Sequence, residues 1–119
     1  MGAYERGGSL SKYHNKKTEI DGITFDSKKE AQRYCELKMM LTGGVISDLY
    51  IQPEFILQEG FKKNGKTIKP IKYFADFKYY DKEKKQTIVE DVKGVKTEVF
   101  RIKKKLFDAK YPDLTLTLI

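Results

Sequence analysis

Residues Tyr73–Gly94 read YFADFKYYDKEKKQTIVEDVKG. Two runs rich in aromatic and β-branched residues flank a charged turn, which is the pattern of a strand hairpin. Each run carries an acid where a strand core wants an apolar residue: Asp76 in the first, Asp91 in the second, with Lys93 two positions beyond. Side chains alternate across a strand. Strict alternation places Ile71, Tyr73, Ala75, Phe77 and Tyr79 on one face and Phe74, Asp76 and Lys78 on the other. In the second run Val89, Asp91 and Lys93 share a face, opposite Ile88, Glu90 and Val92. Pairing around the Asp81–Gln86 turn brings Asp76 beside Asp91.

That juxtaposition needs compensation. Two carboxylates about 4 Å apart repel by roughly 4 kcal/mol at an effective dielectric near 20. A shared proton, a bridging lysine or a divalent cation would each relieve it. An all-oxygen donor set suits Mg²⁺ or Mn²⁺ rather than Zn²⁺. A cation held by Asp76 and Asp91, with Lys93 beside it, has the chemistry for phosphodiester hydrolysis. A D-x-K triplet alone is also an ordinary surface pair. The matching strand phase of Asp76, the apolar strand around each acid and the basic charge of the chain favour the site.

Outward from this hairpin, the chain divides into recognisable elements. Lys17–Ser27, KTEIDGITFDS, holds Asp21-Gly22 between two β-prone triplets and reads as a tight hairpin. SKKEAQRYCELKMML, from Ser27, has helical periodicity: Ala31, Tyr34, Leu37 and Leu41 lie within about 100° of Glu30. Thr42-Gly43-Gly44 ends it. VISDLYIQPEFIL is extended, with Val45, Leu49, Ile51, Phe55 and Leu57 in one phase and a bend or edge at Pro53. Asn64-Gly65 marks another hairpin turn. After TIVEDVKG, the run TEVFRIKKKLFDAKY reads as a second helix ended by Pro112, and LTLTLI as a closing strand. Residues 1–12, rich in Gly and Ser, read as a loose segment ahead of one domain over 13–119.

The fold class implied is α/β with a mixed sheet: an N-terminal β-hairpin, then helix, three-strand meander, helix, strand. The second helix supplies a crossover long enough for parallel placement of the last strand.

Composition narrows the function classes. The 119 residues carry 24 Lys and Arg against 17 Asp and Glu, a net charge of +7, which suits a polyanionic partner, nucleic acid before membrane. A single cysteine, Cys35, allows no internal disulfide and no cysteine-rich zinc site, and fits a reducing, cytoplasmic setting. No run is long and apolar enough for a membrane span, and MGAYERGGSL has no secretory apolar core. Cys35 reads as a core residue beside Tyr34. His14, the only histidine, reads as a bystander.

The basic residues concentrate in two places. Residues 62–72, KKNGKTIKPIK, carry five lysines and no acid. On the second helix Val99, Phe100, Ile102, Leu106, Phe107 and Ala109 form an apolar arc, with Arg101, Lys104 and Lys105 opposite. Lys96, Arg101 and Lys104 are candidates for phosphate contacts that carry no sequence information. Lys103 falls inside the apolar arc, where it either snorkels or reaches the scissile phosphate.

At this point the residues resemble a known group. Asp76, a spacer of 14 residues and then Asp91-Val92-Lys93 are similar to the signature of the PD-(D/E)XK nuclease superfamily. FDSKKEAQRYCEL, QPEF, YFADFKYY and VEDVKG, in that order, resemble a family of small phage and prophage proteins predicted to be endonucleases. The resemblance spans roughly Tyr13 to Ile119. It implies a restriction-endonuclease-like core and a Mg²⁺- or Mn²⁺-dependent DNA endonuclease of phage recombination, replication or genome processing, working in the host bacterial cytoplasm. By motif, Asp76 and Asp91 take the metal-ligating positions and Lys93 the catalytic lysine. Glu30 matches the acid that many of these nucleases add from the first helix. One departure is Ala75, where the motif has proline. Glu30 also fits a capping box with Ser27, and both roles stay open. Glu90, facing away from Asp91, reads as a structural acid. A homodimer is implied if both strands are cut, although no dimer seam is legible. The alternatives are a nucleic-acid-binding module on the same fold that does not cut, and an interaction protein whose sheet acids only form salt bridges.

Overall fold

The computed structural model describes residues 16–92 and 96–119. The expected loose segment 1–12, His14 and Lys93 lie outside the described residues. The chain divides into two compact units, one up to Met39 and one from Met40.

The first unit opens with β1 (Thr18–Ile20) and β2 (Ile23–Phe25), antiparallel, with Thr18 opposite Phe25. The turn between them puts both Asp21 (φ 54°) and Gly22 (φ 77°) in the left-handed region, the geometry for which Asx-Gly is suited. Helix α1 (Lys28–Thr42) follows. The Ser27 hydroxyl accepts the Glu30 backbone N–H at 3.1 Å, the N-terminal half of the capping box. Ala31, Tyr34 and Leu37 are buried, as their periodicity requires, and Glu30 is buried with them. The Phe25 and Tyr34 rings lie 5.1 Å apart. Tyr34 donates to Asp21 at 2.8 Å, and that bond, ahead of burial, raises its pKa. Cys35, expected in the core, is exposed: one residue beyond Tyr34 turns the side chain about 100° around the helix, past the buried edge.

In the second unit α1 ends in a Schellman motif: Val45 N–H bonds the Met40 carbonyl, Gly44 N–H bonds Leu41, and Gly44 has φ 77°. The strands are β3 (Ile46–Ile51), β4 (Glu54–Gln58), β5 (Phe61–Lys63), β6 (Lys66–Ile68), β7 (Ile71–Phe74), β8 (Phe77–Asp81) and β9 (Gln86–Asp91). Helix α2 (Glu98–Lys110) and β10 (Leu114–Leu118) complete the unit. The main sheet has the order β10-β9-β8-β3, with β9 and β10 parallel and the other pairs antiparallel. β4 pairs with β7, and β5 with β6. The two longest extended runs of the sequence are thus each broken: at Gln52-Pro53 between β3 and β4, and at Ala75-Asp76 between β7 and β8. The breaks face one another, with Gln52 N–H on the Asp76 carbonyl and Ala75 N–H on the Pro53 carbonyl.

Breaks and bulges overturn strict alternation. In β3 the register shifts between Ser47 and Tyr50, and Asp48 and Gln52 take positive φ. Ile46 is therefore buried while Val45, expected inside, is exposed. Tyr73 and Ala75 belong to the core cluster with Val89. Phe77 and Tyr79 instead stand opposite Glu90 and Ile88, on the other face of the sheet. The single face expected for residues 71–79 switches sides at Asp76.

The core of this unit lies between the sheet and α2. Phe55, Leu57, Tyr73, Ala75, Val89 and Leu116 pack with Phe100 and Phe107 of the helix. Phe107 is the hub: its ring meets Phe55 edge-on at 5.0 Å, Tyr73 at 5.9 Å and Tyr111 at 5.2 Å. Thr97 caps α2 by accepting the Phe100 N–H at 3.0 Å. The buried stripe is narrower than the sequence arc. Val99, Ile102 and Ala109 are exposed, because the contact line runs through Phe100, Phe107 and Tyr111 at helical spacing. Phe107→Ala should cost about 3–5 kcal/mol of unfolding free energy in urea denaturation, whereas Val99→Ala on the same helix should stay within about 0.5 kcal/mol.

Candidate functional site

The site begins at the edge of β9. This strand lies between β8 and β10, and Ile88, Val89, Glu90 and Asp91 are all buried, as expected for a strand covered on both faces. Asp91 is its last residue. The Asp91 carbonyl takes the Ile119 N–H at 3.0 Å, which fixes its backbone from the β10 side. Asp76 sits in the β7–β8 break. Its N–H donates to the Glu90 carbonyl at 2.9 Å and its carbonyl accepts from Gln52 at 2.8 Å. The residue is therefore held from both neighbouring strands while its side chain leaves the pleat. That side chain turns back to β9, where Asp76 Oδ2 accepts the Val92 N–H at 2.6 Å.

Asp91 is 4% exposed, and its carboxylate accepts the Tyr73 hydroxyl. The Tyr73 phenol reports both acids. Burial is the largest cause of its strongly raised pKa, followed by the hydrogen bond to Asp91 and then the negative charges of Asp91 and Asp76. Phe77 stands opposite Glu90, so Asp76 lies level with Asp91, and the charge of each acts on the Tyr73 phenol. Glu90, adjacent in sequence, faces the other side and accepts from Tyr79. It shares no ligand-forming face with Asp91.

The donor chemistry fits a hard cation. Among the described residues no group of three or more His, Cys, Asp or Glu gathers that could hold a metal, so the described protein share of a site here is the carboxylate pair. Mg²⁺ characteristically takes one or two carboxylates and keeps its remaining positions for water and substrate phosphate. The same pair would be a poor zinc site, which wants nitrogen or sulfur.

The other expected residues are placed as follows. Glu30 belongs to the first unit, buried to 9% exposure at the capped start of α1. Lys96 is exposed beside the Thr97 cap. Arg101 is exposed and pairs with Glu98 at 3.6 Å, and Lys104 pairs with Asp108 at 2.8 Å. Such exposed pairs within one helix are worth only about 0.3–0.5 kcal/mol, so they barely oppose exchange for a phosphate. Lys103 is half-buried, between the Phe100 and Phe107 levels of the helix. Tyr73 is the residue that sequence reasoning missed. Its signal was a tyrosine in the core phase of a strand, since a buried phenol needs a polar partner.

The chain belongs to the family described as Protein of unknown function (DUF1064), whose model matches residues 10–119. No curated protein matches the chain, and no solved structure does. The family description assigns no activity. No helix among the described residues is long and apolar enough to cross a membrane.

Two measurements test the phenol. Tyr73→Phe should lower stability at neutral pH by about 1.5–3 kcal/mol, since a hydrogen bond to a buried carboxylate is lost. The folded pKa of Tyr73 lies far above the ordinary 10.0. The stability this group contributes is therefore complete below about pH 10 and declines as pH rises toward the folded value. In EDTA, the loss of stability above pH 10 should be shallower in Tyr73→Phe than in the parent; parallel curves would detach the phenol from the acids.

Proposed function

We propose that this DUF1064 protein is a Mg²⁺- or Mn²⁺-dependent DNA endonuclease on a restriction-endonuclease-like core. The observation that carries the reading is the placement of Asp76 level with Asp91, with Asp91 held by the Tyr73 hydroxyl and Asp76 by the Val92 N–H. The order α1, β3/β4, β7/β8, β9, α2, β10 supports the core assignment. Net charge +7 supports a nucleic-acid substrate.

Asp76 and Asp91 would hold the ion, and Glu30 is added on the strength of the motif resemblance alone. When bound, the ion supplies Lewis-acid polarisation of a phosphoryl oxygen and makes water more acidic. Tyr73 holds Asp91 in one orientation, and the Val92 N–H does the same for Asp76, so neither carboxylate has to reorganise when substrate arrives. Lys93 offers an ammonium to the attacking water or to the charge growing on the phosphate. Lys96, Arg101, Lys103 and Lys104 contribute positive charge for neighbouring phosphates.

Plasmid nicking with Mg²⁺, with Mn²⁺ and with EDTA tests the reading directly. The parent protein should nick only with metal, and Asp91→Ala should fall to the EDTA background. Equal nicking by both proteins would remove the site; DNA binding with no nicking would leave a non-catalytic module on the same fold. Lys93→Ala should lose about 10²–10³ in turnover while calorimetry still records Mn²⁺ binding. Loss of that binding would make Lys93 part of the ion site rather than of the chemistry.

A further inference from the structure

The second unit carries a projection that the carboxylate site does not use. β5 and β6 pair Phe61 with Ile68, Lys62 with Thr67 and Lys63 with Lys66. All six residues are exposed. Directly opposed residues share a face, so Phe61, Ile68, Lys63 and Lys66 stand on one side and Lys62 and Thr67 on the other. Asn64 (φ 52°) and Gly65 (φ 76°) make the tight reversal between the strands. The root is closely packed. A Cβ on Gly60 would lie 2.9 Å from the Ile68 carbonyl oxygen and 3.2 Å from the Pro70 ring, so the two ends of the ribbon lie tightly against one another there.

A two-stranded ribbon with neither face covered adds little stability. This one also carries a cost, because Lys63 and Lys66 are like charges directly opposed. Residues 61–69 contain four lysines and no acid. Among the described residues none of Lys62, Lys63, Lys66 and Lys69 has an ion-pair partner. The helix lysine Lys104 and arginine Arg101, by contrast, do. The ribbon lysines therefore have no ion pair to give up on meeting a polyanion.

We propose that the β5–β6 ribbon is an arm that enters the major groove of duplex DNA, its lysines reaching the phosphates along both groove walls. The inference rests on the DNA reading of the proposed function and adds the element that grips the duplex. B-form DNA has a major groove about 12 Å wide, which admits a two-stranded ribbon. The major groove of A-form RNA is too narrow for one. The exposed Phe61–Ile68 pair at the root supplies apolar surface for sugar and thymine-methyl contact. The chain from Gly65 to Asp76 spans at most about 36 Å when extended, so the arm grips within about one helical turn of the carboxylates.

Fluorescence anisotropy in EDTA, where no cleavage enters, tests the arm. The full-length chain and its K62Q/K63Q/K66Q/K69Q variant are titrated with a short DNA duplex over a range of NaCl. The substitutions are exposed and should leave the circular dichroism and melting temperature unchanged. The variant should bind at least about tenfold more weakly, and the slope of log K against log salt should shrink by about 3 to 4. A duplex RNA of the same sequence and vesicles of phosphatidylcholine with phosphatidylglycerol should show no comparable dependence on the four lysines. A parental slope in the variant, an absence of DNA binding by the parent, or equal lysine dependence on RNA or vesicles would overturn the arm. Nicking that survives with an unchanged slope would sink the arm alone. Lysine-dependent duplex binding without metal-dependent nicking would sink the nuclease reading and leave the arm standing.

Discussion

The site depends on where Asp76 can point, and that is decided by a break in a strand. In an unbroken β7–β8 strand Asp76 would sit in the pleat between Ala75 and Phe77, committed to one face. Instead its backbone is held between Gln52 and Glu90 while its carboxylate reaches the Val92 amide. The acid is pinned by hydrogen bonds to two neighbouring segments. The same break moves Phe77 and Tyr79 to the opposite face from Tyr73 and Ala75. One local irregularity therefore serves both the core and the acids. It supplies aromatic packing to each side of the sheet and frees a carboxylate at the seam.

Tyr73 couples these two roles. Its ring belongs to the aromatic cluster around Phe107, and its hydroxyl ends on Asp91. A carboxylate at 4% exposure is costly unless donors meet it, and the phenol is one that arrives already ordered by the core. Glu90 has a parallel arrangement with Tyr79 on the other face. The buried end of β9 thus carries two adjacent acids, each met by a tyrosine, Asp91 by Tyr73 of β7 and Glu90 by Tyr79 of β8. Asp91 differs from Glu90 in lying on the level of Asp76, which separates a site candidate from a structural acid more clearly than burial, since Glu90 is the more buried of the two.

Positive charge is distributed unequally between helix and ribbon. On α2 the cations Arg101 and Lys104 have acids one turn away, and the helix carries an acid in its first turn and a lysine in its last, an order that suits its dipole. Those charges already contribute to the helix. The ribbon lysines have no such local use, and at Lys63–Lys66 they work against the pairing that carries them. In a chain of net charge +7, that contrast ranks the surfaces by what each would gain from a phosphate backbone.

How much of this was legible beforehand follows from the range of each interaction. Turns and caps are local: Asp21-Gly22, Asn64-Gly65, the Ser27 and Thr97 caps and the Gly44 stop are all where the residue types place them, because each involves neighbours within a few positions. The hairpin that brings Asp76 toward Asp91 was equally readable, since one short turn sets its register. Faces were another matter. Val45, Cys35, Val99 and Ile102 are apolar and in plausible phase, yet they are exposed. The bulge at Asp48, the break at Gln52 and the narrow contact line of α2 arise from packing against distant segments, which no window of sequence contains. The bond from Tyr73 to Asp91, 18 residues apart, belongs to that second class. Residue chemistry and local spacing specified the elements and the acids. The strand break, set by Pro53 and Gln52 acting across the sheet on Ala75 and Asp76, specified which side chains meet.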